Sequence, residues 1–231
     1  MIEDFLKNLL NRLSGGSSDN ASAGMHVPRG ASGARSNLNG LQRRKSNGLN
    51  HFLKILPRDS GMHVLDLGGV SETNVTFLSE LGCKIYLDNL LANFDRAKPG
   101  LENRRFTPDA AAAFVEDNLR YQAEQFDAIL VWDVLEFLDR ELLTAIVPRL
   151  FDILKPGGGM LAFFHTQTRG EGVELYRYQI EGADTLLLRS LQNRPLPATF
   201  NNRSIERLFS EFDSLKFFLT RDHLREVIVI R

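Results

Sequence analysis

Residues 126–164, FDAILVWDVLEFLDRELLTAIVPRLFDILKPGGGMLAFF, decide how this chain folds. FDAILVWD (126–133) is an apolar run of strand length. RELLTAIVPRLFDIL (140–154) repeats its apolar residues at helical spacing, and GMLAFFHT (159–166) is a second apolar strand. Pro156 stops the helix, while Gly157 and Gly158 supply the unusual dihedrals that lead into a buried strand. Strand, helix and strand in that order make one unit of a parallel sheet.

The same alternation extends upstream. LNHFLKIL (49–56) is a short helix closed by Pro57, and HVLDL (63–67) is a strand. SETNVTFLSELG (71–82) is a helix with a hydroxyl cap and a terminal glycine, and CKIYLD (83–88) is a second strand. A Pro/Gly-containing loop and an alanine-rich helix near 109–120 complete the run up to residue 126. Downstream the pattern changes. VELYRYQIEGADTLLLRS (173–190) reads as a hairpin and a candidate lid, SIERLFSEF as a helix, and SLKFFLTRDHLREVIVIR as two strands on a tight loop. Such a short connection makes that last pair antiparallel. The expected fold is a three-layer α/β sandwich of Rossmann-like type, its mostly parallel sheet finished by an antiparallel pair.

Composition narrows the function classes. The chain has 231 residues, 43% apolar and 25% charged, with a formal charge of -1. That length suits one substantial domain, and the charge gives no basic field to draw nucleic acid. The single cysteine, Cys83, excludes an intramolecular disulfide and a cysteine-rich zinc site, and no metal is expected. No apolar run reaches the roughly 20 residues of a membrane span, and the expected location is the cytoplasm.

Two segments precede the domain expected over 49–231. Residues 1–13 place Ile2, Phe5, Leu6, Leu9, Leu10 and Leu13 on one helical face. That face is expected to pack on the core, on a second copy of the chain or on a partner. Residues 14–48 are rich in Gly, Ser and Asn, cannot bury enough surface to offset their ordering entropy, and read as a flexible, locally basic linker.

In an open α/β sheet the ligand lies beyond the carboxyl ends of the strands. Asp66, Asp88, Asp109 and Asp133 all fall at or near predicted strand ends. Gly68 and Gly69 permit a sharp turn and close backbone approach, and the helix that follows offers unsatisfied N–H groups to a carboxylate. Asp66 can orient that loop or meet an ammonium group. Asp88, 22 residues later, can accept both hydroxyls of a ribose. Asp109 can accept from an adenine amino group, or serve equally well as a helix cap.

VLDLGG, KIYLD, VLEFL (134–138) and LKPGG (154–158) stand in the order and spacing of a known family. Over about residues 50–231 the chain resembles the class I S-adenosylmethionine-dependent methyltransferases. The resemblance implies a seven-stranded sheet, S-adenosylmethionine as cofactor, and a cofactor site drawing on Asp66, Gly68, Gly69, Asp88, Asn89, Asp109, Ala110 and Trp132. The chain departs from the family at three places. The G-x-G-x-G loop keeps Gly68 but has Val70 and Glu72, and Phe137 stands where the family often has His. Val70 is strained wherever the loop needs a positive φ, and Glu72 opposes a cofactor carboxylate unless it turns away. Turned away, Glu72 suits the first turn of its helix.

Methyl transfer is an in-line displacement that needs alignment, desolvation and, for some acceptors, a base. Asp133 and His165 close the fourth and fifth strands and are the candidate bases, with a backbone-bonded role for His165 the stronger expectation. No Asn/Asp-Pro-Pro-aromatic turn follows the fourth strand, which disfavours amino-methylation of a base. Cys83 lies away from that strand, which disfavours cysteine-mediated carbon methylation. A small organic acceptor remains, with Tyr176, Arg177 and Tyr178 of the hairpin as candidates to face the pocket, although amphipathic sheet packing accounts for the two tyrosines equally well. The competing reading is a non-catalytic methyltransferase-like module that docks a partner through its N-terminal helix and tether. An NAD-dependent oxidoreductase fits less well, because it needs G-x-G-x-x-G after the first strand.

Overall fold

A computed structural model describes residues 41–57, 61–167, 169–220 and 223–231. The helix expected over 1–13 and the linker up to residue 40 lie outside the described residues. The chain runs β1 (Leu41–Lys45), α1 (Asn47–Ile55), β2 (His63–Asp66), α2 (Glu72–Glu80), β3 (Lys84–Leu87), α3 (Leu90–Ala97) and α4 (Pro108–Asn118). It continues with β4 (Phe126–Trp132), α5 (Arg140–Ile153), β5 (Leu154–His165), β6 (Gly172–Gly182), β7 (Thr185–Pro195), α6 (Asn202–Leu208), β8 (Ser214–Leu219) and β9 (Leu224–Ile230).

The central sheet has the order β3-β2-β4-β5-β9-β8. Its first four strands are parallel, and β9 and β8 add antiparallel to β5 and to each other. Among the described residues this sheet has six strands where the resemblance implied seven. The stretch between α3 and α4, KPGLENRRF, forms two short 3-10 turns with Asn103 and Arg104 at positive φ. A proline, a glycine and a run of charged residues cannot supply another buried parallel strand.

One face of the sheet is packed by α3, α4, α5 and α6 through Phe94, Phe114, Ile146 and Ile205. The other carries α1 and α2 and then, in place of a further helix, the β6–β7 hairpin. Tyr178, Ile180, Leu186 and Leu188 of the hairpin join Phe52, Val64, Phe77 and Phe163 in that second core.

The linker expected over 14–48 ends earlier than its composition implied. Residues 41–45 form β1, an antiparallel third strand on β7, and 47–55 form α1, capped by Ser46 accepting from Leu49 N at 3.0 Å. A buried charge explains why so polar a stretch is ordered. Arg44 enters the interior, donates to Glu226 of β9 and to Thr220 Oγ1, and Glu226 also accepts from Gly48 N. Gly48 is required by this contact, since a Cβ there would come within 2.5 Å of Glu226.

Breaking a buried pair on one side leaves an uncompensated charge. Glu226→Ala should therefore destabilise the protein by about 3–5 kcal/mol, and the double replacement Arg44→Met with Glu226→Leu should recover most of that loss. Urea unfolding of the three proteins measures both, and a single variant as stable as wild type would remove the ion pair from the account of β1.

Candidate functional site

The site lies at the carboxyl ends of β2 and β4, under the hairpin. Asp66 ends β2 fully buried and accepts three hydrogen bonds: Gly68 N and Trp132 Nε1 on Oδ1 at 2.9 and 2.7 Å, and Asn74 Nδ2 on Oδ2 at 2.9 Å. Burial raises its pKa, and the three donors act against that rise. Asn74 is the first buried side chain of α2, whose N-cap is Ser71. It also donates to the Tyr178 carbonyl at 3.1 Å and accepts from Ile180 N at 2.7 Å. One amide thus ties β2, α2 and β6 together.

Trp132 ends β4 at φ +57, a conformation a bulky side chain adopts only under constraint. The constraint is visible on three sides. Its indole N–H is held by Asp66, its ring stacks on Tyr178 at 5.2 Å and 3°, and Phe163 meets it edge-on at 5.6 Å. Gly68 is the residue that leaves room, since a Cβ there would lie 2.5 Å from Trp132 Cδ1. Gly69 supplies the turn at φ +86, with its N–H donated to the Asp88 carbonyl at 2.8 Å. Val70 is exposed and has no positive φ, and Glu72 points to solvent in the first turn of α2.

A cavity of about 180 Å³ opens here, lined by Asp66, Gly68, Gly69, Asn89, Trp132 and Asp133 among others. Tyr176, Arg177 and Tyr178 of the hairpin also line it, together with Asn74, Asp95 and Gln192, which the sequence did not single out. Asp88 is half-buried beside this space and outside its lining. Its Oδ1 accepts from Asn89 N at 2.7 Å and Asn93 Nδ2 at 2.9 Å, while Asn89 caps α3 through Ala92 N. Asp109 and Ala110 stand apart, in the first turn of α4. The cap there is Thr107, Asp109 is exposed, and Ala110 lines a separate surface depression with Arg96 and Phe114.

Beyond β4 and β5 three titratable groups converge. Asp133, Glu136 and His165 are buried, and their ligating atoms lie within 4.8 Å of one another. Glu136 accepts from His165 N at 2.8 Å and also pairs with the His165 ring through Nδ1. His165 is thereby occupied inside the protein, whereas Asp133 faces the cavity. Asp133 accepts from Tyr178 Oη at 3.0 Å, and burial together with the Glu136 charge pushes its pKa up to about 7. Two carboxylates and an imidazole at this spacing are also a donor set for a hard divalent cation, although both Glu136 oxygens already serve His165. Glu136 went unnoticed in the sequence, yet an acid inside the apolar run VLEFL was the available signal. The Cys83 thiol is half-buried and raised to about 11 by burial and by Asp127, so it is no nucleophile near neutral pH.

The chain matches the methyltransferase-domain family model over residues 40–213. No curated protein matches it. Among solved structures it is similar to a possible exported protein from Bordetella parapertussis, at 14% identity and a TM-score of 0.45, covering 80% of this chain and 65% of that one. It is also similar to an S-adenosylmethionine-dependent methyltransferase from Methanosarcina mazei, at 15% identity and a TM-score of 0.43, covering 75% and 93%. A third is the 1,6-didemethyltoxoflavin-N1-methyltransferase of Burkholderia thailandensis, which holds 1,6-didemethyltoxoflavin and S-adenosylhomocysteine. There the identity is 14%, the TM-score 0.40 and the coverage 80% and 77%. No helix among the described residues is long and apolar enough to cross a membrane. The family match spans most of the chain and includes every element that builds the cavity, from the turn after β2 to the β6–β7 hairpin: the chain belongs to the methyltransferase-domain family.

Proposed function

We propose that the protein transfers a methyl group from S-adenosylmethionine to a small organic acceptor in the cytoplasm. The observation that carries this reading is the turn after β2, where Gly68 and Gly69 leave a backbone cradle beside a buried acid, at the strand ends that line the cavity. The residues suit the cofactor chemically. Asp88 stands at the end of β3 to accept ribose hydroxyls, Asn89 and Trp132 border the adenosine side, and Asp66 keeps the turn in place. Asp109 and Ala110 belong to this proposal only if α4 moves toward the cavity.

The bound cofactor supplies an electrophilic methyl group on a sulfonium centre. This chain's own residues then have three tasks. The hairpin excludes water, the ring of Trp132 orients the ligand, and Asp133 takes the proton from an acceptor that must lose one. Asp133 is better placed than His165, because it lines the cavity and its pKa sits near neutrality. At about 180 Å³ the cavity is below the roughly 300 Å³ at which drug-sized ligand sites begin. A cofactor of that size fits only if the space widens. The same small volume favours the second reading, a partner-binding module that has lost the cofactor.

Calorimetric titration with S-adenosylmethionine, S-adenosylhomocysteine and NAD separates the two. Micromolar binding of the first two without NAD is expected, and Asp88→Ala should weaken it by about 1–3 kcal/mol. Binding of none of the three would leave the docking module standing, and binding of NAD alone would sink both.

Asp133 also makes a prediction that needs no acceptor. Its proton is held more tightly in the folded chain than in the unfolded one. Its contribution to stability is therefore full below the ordinary carboxylate range and is lost as pH rises toward about 7. Asp133→Asn should flatten the fall in melting temperature across that interval, and an unchanged profile would place the titration elsewhere.

A further inference from the structure

Phe137 has a neighbour that a His in its place would not suit. The guanidinium of Arg194, near the end of β7, lies over the Phe137 ring at 5.4 Å from its centroid, and at 5.9 Å from that of Phe94 in α3. The faces of both rings carry negative π charge, which attracts a cation. A His at position 137 would set a second positive charge beside the guanidinium whenever it was protonated. Arg194 also forms a two-pronged pair with Asp95 of α3, Nη1 to Oδ2 and Nη2 to Oδ1, at 2.8 Å each. A planar guanidinium meets a carboxylate best in this geometry. Asp95 lines the cavity, so the pair joins β7 to α3 at the cavity wall.

The two sides of the cavity are held differently. On one side Asp66, Asn74 and Tyr178 are buried, and their hydrogen bonds tie β2, α2 and β6 together. On the other, Leu191 is 49% exposed, Gln192 is exposed, and 44% of the Asp95 side chain is exposed. β7 is also irregular there. Gln192 pairs with Leu175 and Ser190 with Tyr176, which leaves Leu191 as an extra residue without a partner on β6. A bulge of this kind bends the strand and disrupts its ladder locally. A wall secured by a partly exposed ion pair beside a bulge opens at lower cost than one secured by buried hydrogen bonds.

We propose that Arg194 is the clasp of this cavity. Paired with Asp95 and seated on Phe94 and Phe137, it holds β7 against α3, and its release parts the two elements and widens the space. Phe137 then serves the clasp and not the chemistry. The assignment does not depend on which ligand the cavity takes.

Trp132 supplies a readout that needs no ligand. It is the single tryptophan of the chain, 2% exposed, and it lines the cavity. Acrylamide reaches the indole to the extent that the cavity opens, and quenches its fluorescence accordingly. Arg194→Met keeps an apolar stem on the two rings and removes the pair. It should raise the quenching constant by roughly three- to tenfold, the gain in open population that follows the loss of one charge-assisted pair. Asp95→Asn should act in the same direction from the α3 side. Wild type should show a rise of the same sense at about 1 M salt, which screens a partly exposed pair, and Arg194→Met should show none. Lys45→Met breaks the Lys45–Asp184 pair at the turn end of the hairpin and should leave quenching at the wild-type value. Unchanged quenching in both Arg194→Met and Asp95→Asn overturns the clasp. An equal rise in Lys45→Met also overturns it, because the hairpin then loosens as a whole and not at Arg194.

Discussion

The buried carboxylate of Asp66 is the constraint on which the rest of the site depends. A charge at zero exposure is costly unless its lone pairs are filled, and here the donors come from three separate pieces of chain. The turn after β2 gives a backbone N–H, α2 gives the Asn74 amide, and β4 gives the Trp132 indole. Satisfying one carboxylate thereby fixes the turn, sets the position of α2 and holds Trp132 in a left-handed conformation. Asn74 passes the constraint on, since its remaining donor and its acceptor are both taken by the backbone of β6. The hairpin is registered on the sheet by the same network that shapes the cavity.

The parallel core was legible because its signals are local. The apolar runs of β2, β4 and β5, the Pro156 stop and the tight β8–β9 connection depend on near neighbours, and the strand-end acids follow from strand position alone. What escaped depends on contacts distant in sequence. β1 reads as linker because four of its five residues are polar, Leu41 being the exception. Its order comes from Glu226, 182 residues away from Arg44, and from pairing with β7. The roles of Asn74 and Glu136 were hidden for a related reason. A polar residue inside an apolar stretch shows that a partner exists, but not which one. Asp109 illustrates the opposite hazard, since it follows a Thr-Pro pair that had already claimed the cap.

The second core shows why a hairpin, not a helix, covers this face near the site. A stacked pair such as Trp132 and Tyr178 needs two flat rings brought to 5.2 Å, and a strand can present Tyr178 inward while its backbone meets Asn74. The Tyr178 hydroxyl also reaches Asp133, so one residue joins the aromatic floor to the candidate base. Where it lies on Trp132, Tyr178 both fills space beside the cavity and occupies Asp133.

The altered glycine loop is then less damaging than its pattern implies. Three glycines in G-x-G-x-G look like three conformational demands, yet the demands are separate. Only one residue of this turn takes a positive φ, and it is Gly69, a position where the family pattern asks for no glycine. Gly68 is required by the indole beneath it, a steric demand and not a dihedral one. With those two met, position 70 carries no positive φ, and its side chain extends to solvent, where a β-branched residue costs little. Position 72 has become the first residue of α2, where an acid is favoured by the helix dipole. Neither substitution takes away the shape of the turn, which rests on Gly68 and Gly69.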